Sequence, residues 1–207
     1  MSYQKQNIMP VLEVKEWFDK AAKEYRQYWS LLDSVDNNRF LRFLPRNLQH
    51  FTILDIGAGD GRVFEHFKNT WYHNYIAVDI SQKMLDRFQS SAVIKCCADV
   101  EESIPLWDAT IDLALAFFVI EYIADLHYFF AELSRVLKPW ATCVASYFFQ
   151  RHAFVFGHAD DSFKIERFPH TYEDIQAAAE YSFLHVDAGA VTDQGKVIWY
   201  IYEFKKD

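Results

Sequence analysis

From Phe51 onward, short apolar runs alternate with amphipathic segments of helical period, and this alternation limits the chain to few architectures. The runs TILD, YIAVD, AVIKCC and LALAFF, with Thr142–Phe148, have strand length and composition. Between them, RVFEHFKN, SQKMLDRFQ and Leu126–Leu137 place apolar residues three and four apart. Ser81 stands where it caps the second of these helices. Strands alternating with helices imply a parallel sheet covered on both faces.

The end of the chain reads differently. Thr171 and Asp174 form a capping-box start to a helix through Tyr181. Two strand patterns follow, Leu184–Thr192 and Val197–Phe204, joined by Asp193-Gln194-Gly195. So short a link makes the two strands antiparallel neighbours. Before the alternating part, Trp17–Phe43 carries apolar residues at helical intervals and ends at Pro45. Arg151–His170 shows no period and is expected to be a long, aromatic loop.

The 207 residues suit one domain with one sizeable core. A net charge of −8 argues against a broad basic face that grips nucleic acid, without excluding a local patch. Cys96 and Cys97 are adjacent and Cys143 is isolated, so no disulfide framework is legible and a reducing cytosol is expected. MSYQKQNIMP lacks the apolar core of a signal peptide, and the run Leu113–Ile120 is too short to span a bilayer. These features give the expectation of a cytoplasmic protein.

The segment ILDIGAGDGRVFEHF passes from a strand through Gly57, Gly59 and Gly61 into a helical pattern. A dinucleotide fingerprint has its third glycine at the position of Arg62, one residue later. Asp55 and Asp60 bracket the glycines, and two carboxylates repel a pyrophosphate but favour a ligand carrying positive charge. Asp79 ends the second strand, where an acid can accept the hydroxyls of a ribose. Asp99 follows the third strand, placed to accept an exocyclic amine, with Val100 beside it.

Together these residues resemble the class I S-adenosylmethionine-dependent methyltransferases, in particular the broad small-methyltransferase group. The resemblance rests on DIGAGDG (Asp55–Gly61), Asp79, ADVEESIP with Asp99 and Glu101, and IDLALAFFVIEYI (Ile111–Ile123). It covers about Phe51–Phe148. It implies a Rossmann-like, doubly wound, seven-stranded α/β sheet, mostly parallel with a C-terminal antiparallel hairpin, in three α/β/α layers. Within a single methyltransferase domain over 1–207, residues 1–50 would be a helical extension and 51–148 the cofactor-binding core. Residues 149–207 would supply the acceptor-side loop, helix and hairpin.

The implied cofactor is S-adenosyl-L-methionine, held by Asp55, Gly57, Ala58, Gly59, Gly61, Asp79, Ile80, Asp99, Val100 and Phe117. Asp55 would organise the amino group, Asp79 the ribose, and Asp99 with Val100 the adenine. Two positions depart from the family pattern. Leu137-Lys138-Pro139-Trp140-Ala141 replaces L-K-P-G-G, so a different local backbone is expected there, and Tyr122 stands where a histidine is frequent.

The reaction implied is in-line methyl transfer, aided mainly by alignment and exclusion of water. Glu121, Tyr122 and His152 are the candidate catalytic residues, with Arg151 a candidate partner for an acidic substrate group. His158-Ala159-Asp160-Asp161 reads as a charged loop tip rather than a metal site, and no metal is expected. Aromatic residues make up 18% of the chain, and Phe118, Tyr147, Phe154, Phe156 and Phe163 are candidates for an acceptor pocket. Phe129, Phe130 and Phe148 read as core. The acceptor expected is a small apolar or planar molecule. The rival readings are an RNA or protein methyltransferase, an inactive methyltransferase-like binding protein and, last, an NAD enzyme.

Overall fold

The computed structural model describes residues 11–36, 39–148, 155–156, 163–183, 185–193 and 196–206. The strands are β1 Val11–Leu12, β2 Thr52–Ile56, β3 Asn74–Asp79, β4 Val93–Cys97 and β5 Ile111–Ala116. They continue as β6 Leu137–Phe148, β7 Val155–Phe156, β8 Phe163–Ile165, β9 His185–Asp193 and β10 Lys196–Lys205. The α-helices are α1 Val14–Ala21, α2 Trp29–Asp36, α3 Gln82–Arg87, α4 Leu126–Val136 and α5 Tyr172–Glu180.

The main sheet has seven strands in the order β4-β3-β2-β5-β6-β10-β9. β4 through β6 are parallel, and β10 lies antiparallel to both β6 and β9. The expected class and terminal hairpin are both present. The strand period of two divides the core into two layers. Leu54, Ile56, Ala114 and Ala116 face α4 and α5, whereas Ile53, Leu113 and Leu115 face the opposite cluster with Phe64 and Phe88. On α4, Phe129, Phe130, Leu133 and Val136 are all fully buried. Asp125 caps that helix by accepting the Tyr128 amide, and the Thr171–Asp174 capping box of α5 is complete.

Two sequence expectations are corrected. RVFEHFKN forms only a short 3₁₀ turn over Val63–His66. Its β-branched and aromatic residues are weak helix formers, and Val63 and Phe64 are held by burial rather than by a helical ladder. The loop expected over Arg151–His170 contains β7 and β8, which join β1 in a small second sheet. Leu12 pairs with Ile165 across most of the chain, and Ile165 is buried with Trp17 and Ala21, so no local pattern reports it. The Trp17–Phe43 segment, one or two helices by its spacing, forms α1 and α2 with 3₁₀ turns at Tyr25–Tyr28 and Arg39–Phe43.

At Trp140 the chain keeps the backbone that a glycine adopts. Trp140 has φ 65°, in the left-handed region, and its ring is 79% exposed. The register moves from Ile111–Leu137 to Leu113–Thr142, so Lys138–Ala141 loop out of the β5–β6 ladder.

Candidate functional site

A cleft of about 630 Å³ opens at the C-terminal ends of β2, β3, β4 and β5. Parallel strands bring their carboxyl ends to one sheet edge, so four separate loops meet there. The glycine loop forms the floor. Gly57, Gly59 and Gly61 have φ of 65°, 56° and 97°, a region side chains rarely adopt. A Cβ on Gly57 would sit 2.3 Å from Val119 Cγ2, so the loop and the turn after β5 meet at a distance only glycine permits.

Asp79 braces this floor. Its Oδ2 accepts the Gly59 amide and its Oδ1 the Ser81 amide, each at 2.8 Å. Burial pushes its carboxyl up to about 6, against the pull of those two amides. Each oxygen keeps a further lone pair for a hydroxyl donor. Asp99 lines the cleft beside Val100 and orders its own loop by accepting the Glu101 amide at 2.9 Å. Gly57, Ala58, Gly59, Asp79, Ile80, Asp99, Val100 and Phe117 all line this one cleft, as the sequence led us to expect.

Gly61 and Asp55 are not among the lining residues. Gly61 makes room for a ring: a Cβ there would meet Phe88 at 2.8 Å. The Asp55 carboxyl turns into the core, where Oδ2 accepts the Tyr75 hydroxyl at 2.7 Å. Burial raises it to about 7. Asp55 thus braces β2 against β3 and does not face the cleft, a correction to its expected role.

Of the catalytic candidates, Tyr122 lines the cleft, edge-on to Phe18 at 5.5 Å between ring centroids. Burial raises its hydroxyl pKa above the ordinary tyrosine value, so it is a neutral phenol and no base. Glu121 points away from the cleft. Its Oε1 accepts the Phe148 amide at 2.9 Å and lies 4.0 Å from Arg167, while its main-chain oxygen accepts the Phe168 amide. Burial raises Glu121 to about 7. The pair ties the turn after β5 to the end of β6 and to the segment after β8. His152, Arg151, Phe154, His158, Asp160 and Asp161 lie outside the described residues. Phe118 lines the cleft, whereas Tyr147 is buried with its hydroxyl oxygen accepting the His170 amide at 2.8 Å. Only the backbones of Phe156 and Phe163 are described, on β7 and β8.

The roof was missed. Phe18, Tyr25 and Leu32 from the N-terminal segment line the cleft, with Phe168 after β8. Asp19 accepts the Ser81 hydroxyl at 2.6 Å, Asp33 accepts Arg62 at 2.8 Å, and Trp29 donates to Asp60 at 2.8 Å. The one signal in the sequence is the seven-residue spacing of Phe18, Tyr25 and Leu32, hidden because no single helix carries all three.

The helix expected after the glycines is a four-residue 3₁₀ turn, a shorter and weaker anion site than the regular helix N-terminus on which a pyrophosphate is usually held. The family described as methyltransferase domain matches residues 54–145. Over those residues the chain is similar to the methyltransferase domain family.

Among relatives, it is 34% identical over 129 residues to the biotin biosynthesis bifunctional protein BioHC of Cellvibrio japonicus, covering 61% of this chain and 25% of that protein. It is 33% identical over 135 residues to a malonyl-[acyl-carrier protein] O-methyltransferase of a Marinomonas species, covering 62% and 49%. The chain thus spans a quarter to a half of the length of these relatives. Two solved structures share its fold. One is the methyltransferase in complex with the Haloferax volcanii activator Trm112, with a TM-score of 0.76 at 15% identity, covering 93% and 96% of the two chains. The other is an S-adenosylmethionine-dependent methyltransferase of Mesorhizobium loti, with a TM-score of 0.69 at 17% identity, covering 84% and 100%. Among the described residues no helix is long and apolar enough to cross a membrane.

Proposed function

We propose that the whole chain acts as one domain, a cytosolic enzyme that methylates a small apolar or planar acceptor. The observation that carries this is convergence: the glycine loop, Asp79 and Asp99 come from three strand ends and line one cleft. The residues fit the cofactor. The cradle at Gly57 would be filled by a Cβ, and Asp79 keeps acceptor capacity for ribose hydroxyls.

When bound, S-adenosylmethionine supplies an electrophilic methyl group on a sulfonium. In this reading Gly57, Ala58 and Gly59 admit its methionine part and the Phe117 backbone closes that end. Asp79 and Ile80 hold the ribose, and Asp99 with Val100 the adenine. Phe18, Tyr25, Phe118, Tyr122 and Phe168 make the remaining wall largely aromatic, which suits a flat acceptor and keeps out water. Tyr122, held neutral, orients the acceptor by its ring and hydroxyl. The sequence relatives favour a second reading, an acyl group presented on a carrier protein.

Thermal unfolding with S-adenosylhomocysteine beside NAD tests the reading. At a hundredfold excess over Kd, a specific ligand adds about 2.7 kcal/mol, a rise of roughly 5–10 °C for a chain of this size. The homocysteine ligand should give that rise and NAD none. Stabilisation by NAD alone would overturn the reading.

A further inference from the structure

Glu121 is a buried carboxylate, 2% exposed, that the methyl-transfer reading leaves without a task. It sits in the 3₁₀ turn Ile120–Tyr122, immediately before Tyr122, which lines the cleft. Its Oε1 accepts the Phe148 amide at 2.9 Å, and its main-chain oxygen accepts the Phe168 amide at the same distance. Arg167 completes the arrangement. Its Nη2 donates to the Phe148 main-chain oxygen at 3.0 Å and lies 4.0 Å from Glu121 Oε1, with the guanidinium 6.0 Å above the Tyr122 ring. Glu121 thus takes the amide and Arg167 the carbonyl of one residue, Phe148. Each member of the pair directly precedes an aromatic residue of the cleft, Tyr122 in one case and Phe168 in the other.

As a source of stability the arrangement is poor. Glu121 Oε2 is buried and accepts no hydrogen bond among the described residues, and apolar residues of similar volume often replace a buried ion pair without loss. What such a pair supplies is a fixed register between the segments that carry it. Resting on the small-molecule methyltransferase reading, we propose that Glu121 and Arg167 are positioning residues for the acceptor, setting where the Tyr122 and Phe168 rings stand in the cleft and so which flat molecules fit against them. Both side chains act through the backbones they hold. His170 fixes the far end of the same segment, its ring donating to the Ile123 main-chain oxygen at 2.7 Å and its amide to the Tyr147 hydroxyl oxygen at 2.8 Å. In the same reading the glycine loop, Asp79 and Asp99 hold the cofactor from other strand ends, so loss of the pair acts on the acceptor.

The test measures label passing from methyl-labelled S-adenosylmethionine into a protein-free cell extract, as a function of extract dilution. The proteins are the unaltered chain, Glu121→Gln, Arg167→Met, their double variant and Asp112→Asn, and calorimetry gives the Kd of each for S-adenosylhomocysteine. Glu121→Gln keeps the shape and an acceptor for the Phe148 amide but removes the charge. It should raise the half-saturating extract concentration by about tenfold. The limiting rate should change less, and the S-adenosylhomocysteine Kd should stay within about twofold. Arg167→Met should do the same and serves if Glu121→Gln does not fold. The double variant should resemble either single one, because the first substitution already dissolves the pair. Asp112→Asn alters a carboxylate at the opposite edge of the sheet, where it accepts the Thr52 amide and Lys138. It should lower the unfolding temperature and leave half-saturation unchanged. Equal weakening of S-adenosylhomocysteine, unchanged half-saturation, additive effects in the double variant, or the same rise from Asp112→Asn would overturn the proposal. An unaltered chain that binds S-adenosylhomocysteine yet labels nothing in the extract would instead overturn the small-molecule reading, and the proposal with it.

Discussion

The amide of Gly59 donates to Oδ2 of Asp79 at 2.8 Å, joining two residues twenty apart at the tips of adjacent strands. One carboxylate therefore shapes the glycine loop and lines the cleft, where the proposed reading puts the ribose. Asp79→Ala leaves the Gly59 and Ser81 amides without their acceptor, at a cost of about 1–3 kcal/mol per buried donor. Stabilisation by S-adenosylhomocysteine should vanish as well. Denaturant unfolding and thermal shift read the two effects separately. An unchanged thermal shift would mean that the ribose lies elsewhere.

Gly57→Ala meets two obstacles. The residue has φ 65°, and its new methyl would lie 2.3 Å from Val119 Cγ2. Left-handed strain accounts for about 1–2 kcal/mol, and overpacking for roughly 1–3 kcal/mol more. Adding Val119→Ala should recover part of the overpacking and none of the strain. Full recovery in the double variant, measured by denaturant unfolding, would show that backbone strain is absent.

Asp55, Asp79 and Glu121 are all raised by burial, to about 7, 6 and 7. Each folded-state pKa exceeds its unfolded value, so the folded state binds more protons between about pH 4 and 7. On their account stability should be fully present at and below about pH 4, fall as pH rises from there to about 7, and be level above that. Asp55→Asn, which cannot ionise, should flatten this slope by on the order of 2 kcal/mol between pH 5 and 8. Equal slopes in denaturant titrations of the two proteins would refute the assignment to Asp55.

Trp140 supplies a backbone test on the side of the sheet away from the cleft. Its φ of 65° strains any side chain, while its exposed ring buries little. Trp140→Gly should leave stability unchanged or raise it by up to about 1 kcal/mol. Trp140→Val should lower it by more than about 1 kcal/mol, because a β-branched residue tolerates this region least. Equal unfolding midpoints for the two variants would show that the loop relaxes freely.

The readable parts of this molecule are those with a local cause. The short apolar runs at Thr52–Ile56 and Asn74–Asp79, the Ser81 cap and the Thr171–Asp174 box act within a few residues, and each predicts its own element. The lining of the cleft was legible because parallel strands bring their carboxyl ends to one edge. The helix expected after Gly61 failed because burial of Val63 and Phe64 outweighed a marginal helical period.

By itself, then, the sequence determined the α/β class, the terminal hairpin and most of the residues that meet in one cleft. Only the tertiary structure decided the fate of the charged side chains. Asp55 in β2 and Asp60 on the loop after it are five residues apart, yet one turns to Tyr75 in the core and the other to Trp29 beneath the roof. Glu121 and Tyr122 are neighbours, yet only Tyr122 reaches the cleft. A side chain's partners depend on which distant segment closes over it, and contacts such as Asp19–Ser81 or Leu12–Ile165 leave no periodic trace along the chain.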